Sequence, residues 1–169
     1  MTNIQDILFQ YWYLFPLIIL VAIIEIYMNK KKKECKIKKK KEFFRKNAEN
    51  GKEFEKFIGK KFEESGYIVV YHGIEKGKFD QGIDLICTKD NELILIQCKN
   101  WKVHNKYKID HEKLKAFIGS CTEYVNNNKL FHKNIKLKFI TSNDILDKSG
   151  KHFLEKSKTL EYEILEFKK

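Results

Sequence analysis

The 169-residue chain is poor in the residue patterns that mark several common classes of protein. It has four cysteines (Cys35, Cys87, Cys98 and Cys121), which lie far apart and include no CxxC pair. That excludes a zinc ribbon or a dense disulfide scaffold, and all four are expected to be reduced and buried, as suits a cytosolic domain. Its five histidines (His72, His104, His111, His132 and His152) show no HxxxH spacing, so a histidine-built zinc site is not expected. There is no internal repeat, and no second globular domain announces itself. What the chain does hold is apolar: 43% hydrophobic residues, with 13 Phe and 8 Tyr, enough for one ordinary domain and too much for a disordered chain.

The formal net charge of +11 is unevenly distributed. Between Lys30 and Lys46 stand 11 Lys or Arg against 2 Glu, so most of the excess sits in one short tract. Ahead of it, Ile7 to Met28 is apolar apart from Gln10, Pro16 and Glu25, and about 20 such residues cross a bilayer. Tyr11, Trp12, Tyr13 and Tyr27 mark its two ends, where aromatic rings favour the interface. A cleaved signal peptide is the rival reading. It wants a basic residue before the apolar run and small residues after it, whereas the chain starts MTNIQD and leaves the run through Tyr27, Met28, Asn29 and lysines. The expected organisation is a transmembrane helix within residues 1–29, a basic juxtamembrane linker over 30–47 and a globular domain over 48–169. Cationic flanks stay in the cytoplasm, which places the amino terminus outside and the domain inside. The tract serves either as topology signal and anionic-lipid contact or as a sequence-independent grip on nucleic-acid phosphates.

In the domain, Phe54, Phe57, Ile58 and Phe62 recur at helical spacing over 48–65, and Gly66 supplies a stop. Glu55 lies about 20° from Phe62 on the helical wheel, at the border of the apolar stripe. A strand follows over 67–72, then a glycine-bearing loop over 73–82. Two further strands, 83–88 and 93–101, flank a polar turn at Asp90 and Asn91. If the turn has two residues, Lys89 faces Glu92 and, counting back, Asp84 faces Gln97, with Cβ atoms roughly 5 Å apart. The period of two puts Lys99 on the same face. A helix over 111–125 with Asp110 as a possible cap, a strand over 135–141, a short helix over 147–156 and a strand over 160–167 complete the order α-β-β-β-α-β-α-β. The fold class is α/β, a mixed sheet covered by helices.

Asp84, Gln97 and Lys99 interrupt otherwise apolar strands. An anionic and a neutral oxygen ligand side by side suit a hard divalent ion such as Mg2+, and an ammonium beside them suits phosphate chemistry. Glu55 is placed to join them. The alternative is plain: Asp84 a turn acid, Gln97 and Lys99 a solvent face, Glu55 a surface carboxylate. The apolar Leu93 and Leu95 on the same face argue against the second of these.

These residues resemble the Mrr-type restriction endonuclease domain, a branch of the PD-(D/E)xK nucleases in which Gln replaces an acid. Gly51, Phe54 and Glu55 in GKEFE, Gly66 and Tyr67 in SGY, Gly82, Ile83 and Asp84 in GID, and Gln97, Cys98, Lys99 and Trp101 in QCKNW carry the likeness. FITSNDILDKSGKHFLEK resembles the strand and helix that follow. The resemblance spans 48–167 and implies a restriction-endonuclease-like fold and a Mg2+-dependent DNA endonuclease of type IV restriction kind, with Mn2+ a possible substitute. Asp84, Gln97, Lys99 and Glu55 would be catalytic, and Asp84, Gln97 and Glu55 would hold the metal. Trp101, Lys102, Lys76 and Lys78 are the candidate DNA contacts, Trp101 serving either to pack or to stack on a base. Asn100 stands where the family often has a basic residue. Cutting both strands implies a homodimer on DNA. The competing readings are an inactive relative that tethers DNA or a partner to the membrane, and a nuclease for branched DNA or RNA.

Overall fold

The computed structural model describes residues 15–77, 81–103 and 107–167. The chain divides into two compact units, 1–47 and 48–169. Helix α1 (Phe15–Glu64) runs without interruption through the tract expected to be a linker. The reason is local: between Pro16 and Gly51 there is neither proline nor glycine, and lysine, glutamate and isoleucine all tolerate helix. In the first unit its apolar side chains Leu17, Leu20, Ile23 and Ile26 are exposed, as are Phe43 and Phe44 in the basic stretch. Cys35 is exposed as well, which corrects the expectation that all four thiols are buried. Among the described residues no helix is long and apolar enough to cross a membrane. Residues 7–14 of the expected span lie outside the described ones.

The second unit is built on a five-stranded sheet in sequence order: β1 (Ile68–Val70), β2 (Leu85–Lys89), β3 (Glu92–Lys99), β4 (Asn134–Thr141) and β5 (Leu160–Ile164). β1, β2 and β3 are antiparallel, while β3, β4 and β5 are parallel. The sheet is therefore mixed, as expected. A two-residue turn joins β2 to β3 and a longer connection over 71–84 joins β1 to β2, whereas α3 (His111–Asn127) and α4 (Lys148–Lys156) make the crossovers that parallel neighbours require. Asp110 caps α3 by accepting from the Lys113 N–H at 2.9 Å, and Asp147 caps α4 from the Gly150 N–H at 2.7 Å.

The sheet buries both faces. Leu85, Cys87, Ile94, Ile96 and Cys98 pack with Phe54 and Ile58 of α1. Ile86, Leu93, Leu95 and Phe139 pack with Leu114 and Phe117 of α3. α1 ends where Gly66, at φ +84°, lets the Tyr67 N–H reach the Phe62 carbonyl at 3.0 Å, a closure that costs a side-chain-bearing residue strain.

The hairpin register follows the two-residue turn: Lys89 pairs with Glu92 and Leu85 with Ile96. Asp90 takes the left-handed conformation, φ 49°. Asp84 lies one residue outside this ladder, because the chain turns through positive φ at Gln81 and Gly82 just before it. Its N–H still bonds the Ile96 carbonyl, at 2.8 Å. A second correction concerns the loop over 73–82, which opens with a short helix, α2 (His72–Lys76).

Candidate active site

Asp84 is buried at the mouth of the β2–β3 hairpin. Its backbone is held from two sides: its N–H by β3 and its carbonyl by the Gly73 N–H, at 2.9 Å. Its carboxylate Oδ2 accepts the Cys98 N–H at 2.6 Å, and the Lys99 ammonium lies 3.9 Å from the same oxygen. The main chain of β3 orients the acid, and the next side chain of that strand supplies its counter-charge.

Glu55 comes to the same place from α1. Its position at the edge of the apolar stripe leaves the residue half-buried, with Oε2 fully enclosed. The meeting point is Gly73 in α2. A Cβ built there would lie 2.9 Å from Asp84 Oδ1 and 3.2 Å from Glu55 Oε2, so the missing side chain is the space that lets the two carboxylates approach. Their charge is felt by the buried Cys98 thiol. Desolvation raises its pKa well above the ordinary thiol value, and the nearby Asp84 and Glu55 carboxylates push it further in that direction.

Gln97 and Lys99 belong to the neighbouring cleft, of about 200 Å3, which they line with Trp101 and with Lys113, Phe117 and Ser120 of α3. The Gln97 amide lies over Gly82, where a Cβ would come within 2.9 Å of Nε2. Lys99 joins the two parts, since it lines the cleft and stands beside Asp84. Thus Glu55, Asp84 and Lys99 converge, and Gln97 adjoins them across Gly82. Trp101 packs against the α3 side of the core, 6.2 Å from the Tyr107 ring, with its remaining surface on the cleft. Lys102 and Lys76 are exposed beyond the cleft lining, and Lys78 lies outside the described residues.

Three contributors went unseen in the sequence. Gly73 was one of three loop glycines with nothing to single it out. Lys113 sits in the first turn of α3, where it also reads as a simple partner for Asp110. Asn143 donates to the Trp101 carbonyl at 2.8 Å while the Ser142 N–H donates to the Lys99 carbonyl at 3.1 Å, so the SND turn after β4 fixes the exit of β3. The QCKNW and TSND motifs are 40 residues apart in sequence, and only the parallel β3–β4 pairing brings them together.

The donors fit a hard cation. Among the described residues no group of three or more His, Cys, Asp and Glu forms a metal cluster. The oxygen donors on offer are two carboxylates and the Gln97 amide. Carboxylate and amide oxygens are the donors a hard divalent ion takes.

A buried and a half-buried carboxylate beside a lysine, on a mixed sheet flanked by helices, fit a restriction-endonuclease-like fold before any family is named. Residues 47–161 match the Mrr_cat family, restriction endonuclease. The chain belongs to that family. No curated protein matches it. Among solved structures it is similar to a repair endonuclease from Pyrococcus abyssi, at 16% identity and a TM-score of 0.41, over 65% of this chain and 43% of that one. The chain thus spans less than half the length of that neighbour.

Proposed function

We propose that the protein is a membrane-anchored, Mg2+-dependent endonuclease that hydrolyses phosphodiester bonds of DNA in restriction or DNA processing. The observation that carries the catalytic part is the convergence of Glu55 and Asp84 at Gly73 with Lys99 3.9 Å from Asp84. Asp84, Glu55 and Gln97 would hold the ion, with Mn2+ as a substitute. When bound, a hard divalent ion supplies Lewis-acid polarisation of the scissile phosphate. Asp84 is already oriented for this by the Cys98 N–H. The Lys99 ammonium holds a phosphate oxygen in the cleft and stabilises the negative charge that builds there in the transition state. Trp101, Lys102, Lys76 and Lys78 contact the DNA beyond the scissile bond, and two copies act together to cut both strands.

The anchor reading rests on the apolar run from residue 7 to 28, whose described side chains are exposed, followed by the lysine tract. The tract keeps the nuclease domain in the cytoplasm and touches anionic headgroups. In fractionated cells the chain should stay in the membrane pellet through alkaline carbonate washing, and release by that wash would refute an integral anchor.

Full-length protein in detergent, incubated with supercoiled plasmid and Mg2+, tests the catalytic reading. Cleavage should vanish without divalent ions and fall by at least about 100-fold in Asp84→Ala and Lys99→Ala. Cleavage that survives both substitutions would sink the site assignment. Binding without cleavage in either Mg2+ or Mn2+ would replace the enzyme with a tether.

A further inference from the structure

α3 has two working faces. Lys113, Phe117 and Ser120 look onto the catalytic cleft, while His111 and Lys115 look toward α4, where a second cavity of about 620 Å3 opens. That volume is in the range of small-molecule sites, roughly 300–1,000 Å3, and about three times that of the cleft.

Its lining has a consistent chemistry. Lys115, Lys156 and Lys158 contribute three ammonium groups, and no aspartate or glutamate is among the lining residues. Two acids stand just outside the lining, each bonded to a lining residue. Asp147 accepts from the Gly150 N–H and the Ser149 hydroxyl, and Glu155 faces His152 at 3.6 Å. Ser157 and Thr159 add hydroxyls on the connection between α4 and β5. The Ser157 Oγ accepts the Leu160 N–H at 3.3 Å and lies 3.4 Å from the Thr159 Oγ1, so the hydroxyl pair keeps one proton to donate outward. The wall between these groups is the Phe153 ring, with Lys115 Nζ 5.9 Å from its centroid. Ammonium groups with hydroxyl donors select a phosphate, and an aromatic wall beside them selects a planar ring.

We propose that the α3–α4 cavity binds a nucleotide, its phosphate on the lysines and its base against Phe153, either free or as one unit of a nucleic-acid strand. The site is distinct from the catalytic cleft and shares with it only the helix between them. Binding here does not depend on the catalytic reading, since Asp84→Ala leaves every lining residue in place.

Calorimetric titration of the full-length Asp84→Ala protein in detergent tests the proposal, with AMP, inorganic phosphate and a short single-stranded oligonucleotide as probes. AMP should saturate at one per chain, and inorganic phosphate should compete with it more weakly. Lys156→Gln with Lys158→Gln should weaken AMP by about tenfold or more, as two charge-assisted contacts are lost. These lysines are exposed, so the fold should survive; Lys115→Glu is an independent second variant with the same expected loss. Competition between AMP and the oligonucleotide assigns the site to a strand, and AMP binding that the oligonucleotide does not displace assigns it to a free nucleotide. No saturable binding of any probe, or AMP binding unchanged in both sets of variants, would overturn the proposal. Plasmid cleavage by the unsubstituted chain in Mg2+ would still stand in that event, so the two readings fail separately.

Discussion

Replacing Gly73 with alanine adds one methyl group at the point where the two carboxylates meet. The new Cβ would lie 2.9 Å from Asp84 Oδ1, 3.1 Å from Asp84 Cα and 3.2 Å from Glu55 Oε2. Ordinary contact begins near 3.4 Å, so the acids must part from Gly73 by about 0.5 Å or the backbones must separate. The backbones are poorly placed to yield: the Gly73 N–H is bonded to the Asp84 carbonyl at 2.9 Å, and the Asp84 N–H to Ile96 at 2.8 Å. The carboxylate is tied in turn to the Cys98 N–H. Overpacking of this kind costs about 1–3 kcal/mol. Alanine returns up to about 1 kcal/mol through helix propensity and a stiffer unfolded chain. The net expectation is a loss of about 1 kcal/mol, or a melting point lower by about 4 °C. If the two carboxylates hold the proposed ion, function should suffer more than stability, because a spread pair no longer matches one small cation. Plasmid cleavage should fall by at least about tenfold and need more Mg2+ for half-maximal rate. Paired calorimetry and Mg2+ titration of cleavage decide the matter, and an alanine variant with unchanged melting point and Mg2+ dependence would refute the claim that Gly73 brings the carboxylates together.

Three further outcomes are expected. Gly119, exposed in α3, has nothing within 4 Å of a built Cβ, so Gly119→Ala should stabilise the protein by about 0.5–1 kcal/mol in urea unfolding; a loss would mean the helix is frayed there. Glu92 is held below its ordinary pKa by Lys136 and by the Tyr67 hydroxyl. An acid depressed in the folded state adds stability above its unfolded pKa and loses it as pH falls through the folded value. Glu92→Gln should therefore be less stable than wild type at neutral pH, with the gap narrowing as the pH falls below the ordinary glutamate value and closing below the folded one; a gap that does not change with pH would show that the ion pair is not its source. The Cys87 and Cys121 thiols are pushed up to about 12 by burial, and Cys98 is raised by burial and its acidic neighbours. A disulfide reagent at pH 8 should therefore modify Cys35 alone in native protein and all four thiols after unfolding, and a second fast thiol in the native chain would contradict the burial.

The chain's local grammar was legible without coordinates. Phe54 and Ile58 repeat at helical spacing because one side of α1 meets the sheet. Asp110 announces the start of α3, Gly66 the end of α1, and the two-residue turn at Asp90 and Asn91 sets the hairpin register. Such features depend on near neighbours in sequence, where spacing alone determines which groups meet. Glu55 could even be picked from its acidic neighbours, since the wheel angle decides which carboxylate borders the sheet. What spacing does not contain is how distant segments close on one another. Whether β3 and β4 run parallel, and so whether TSND reaches the exit of QCKNW, depends on the crossover made by α3. The uninterrupted course of α1 through the lysine tract emerged from the absence of any breaker rather than from a signal, and with it the exposure of Cys35. Gly73 is the clearest case. In sequence it is one glycine in a loop, and its role exists only because α1, α2 and the hairpin converge, leaving beside its Cα a gap that Asp84 Oδ1 and Glu55 Oε2 both border.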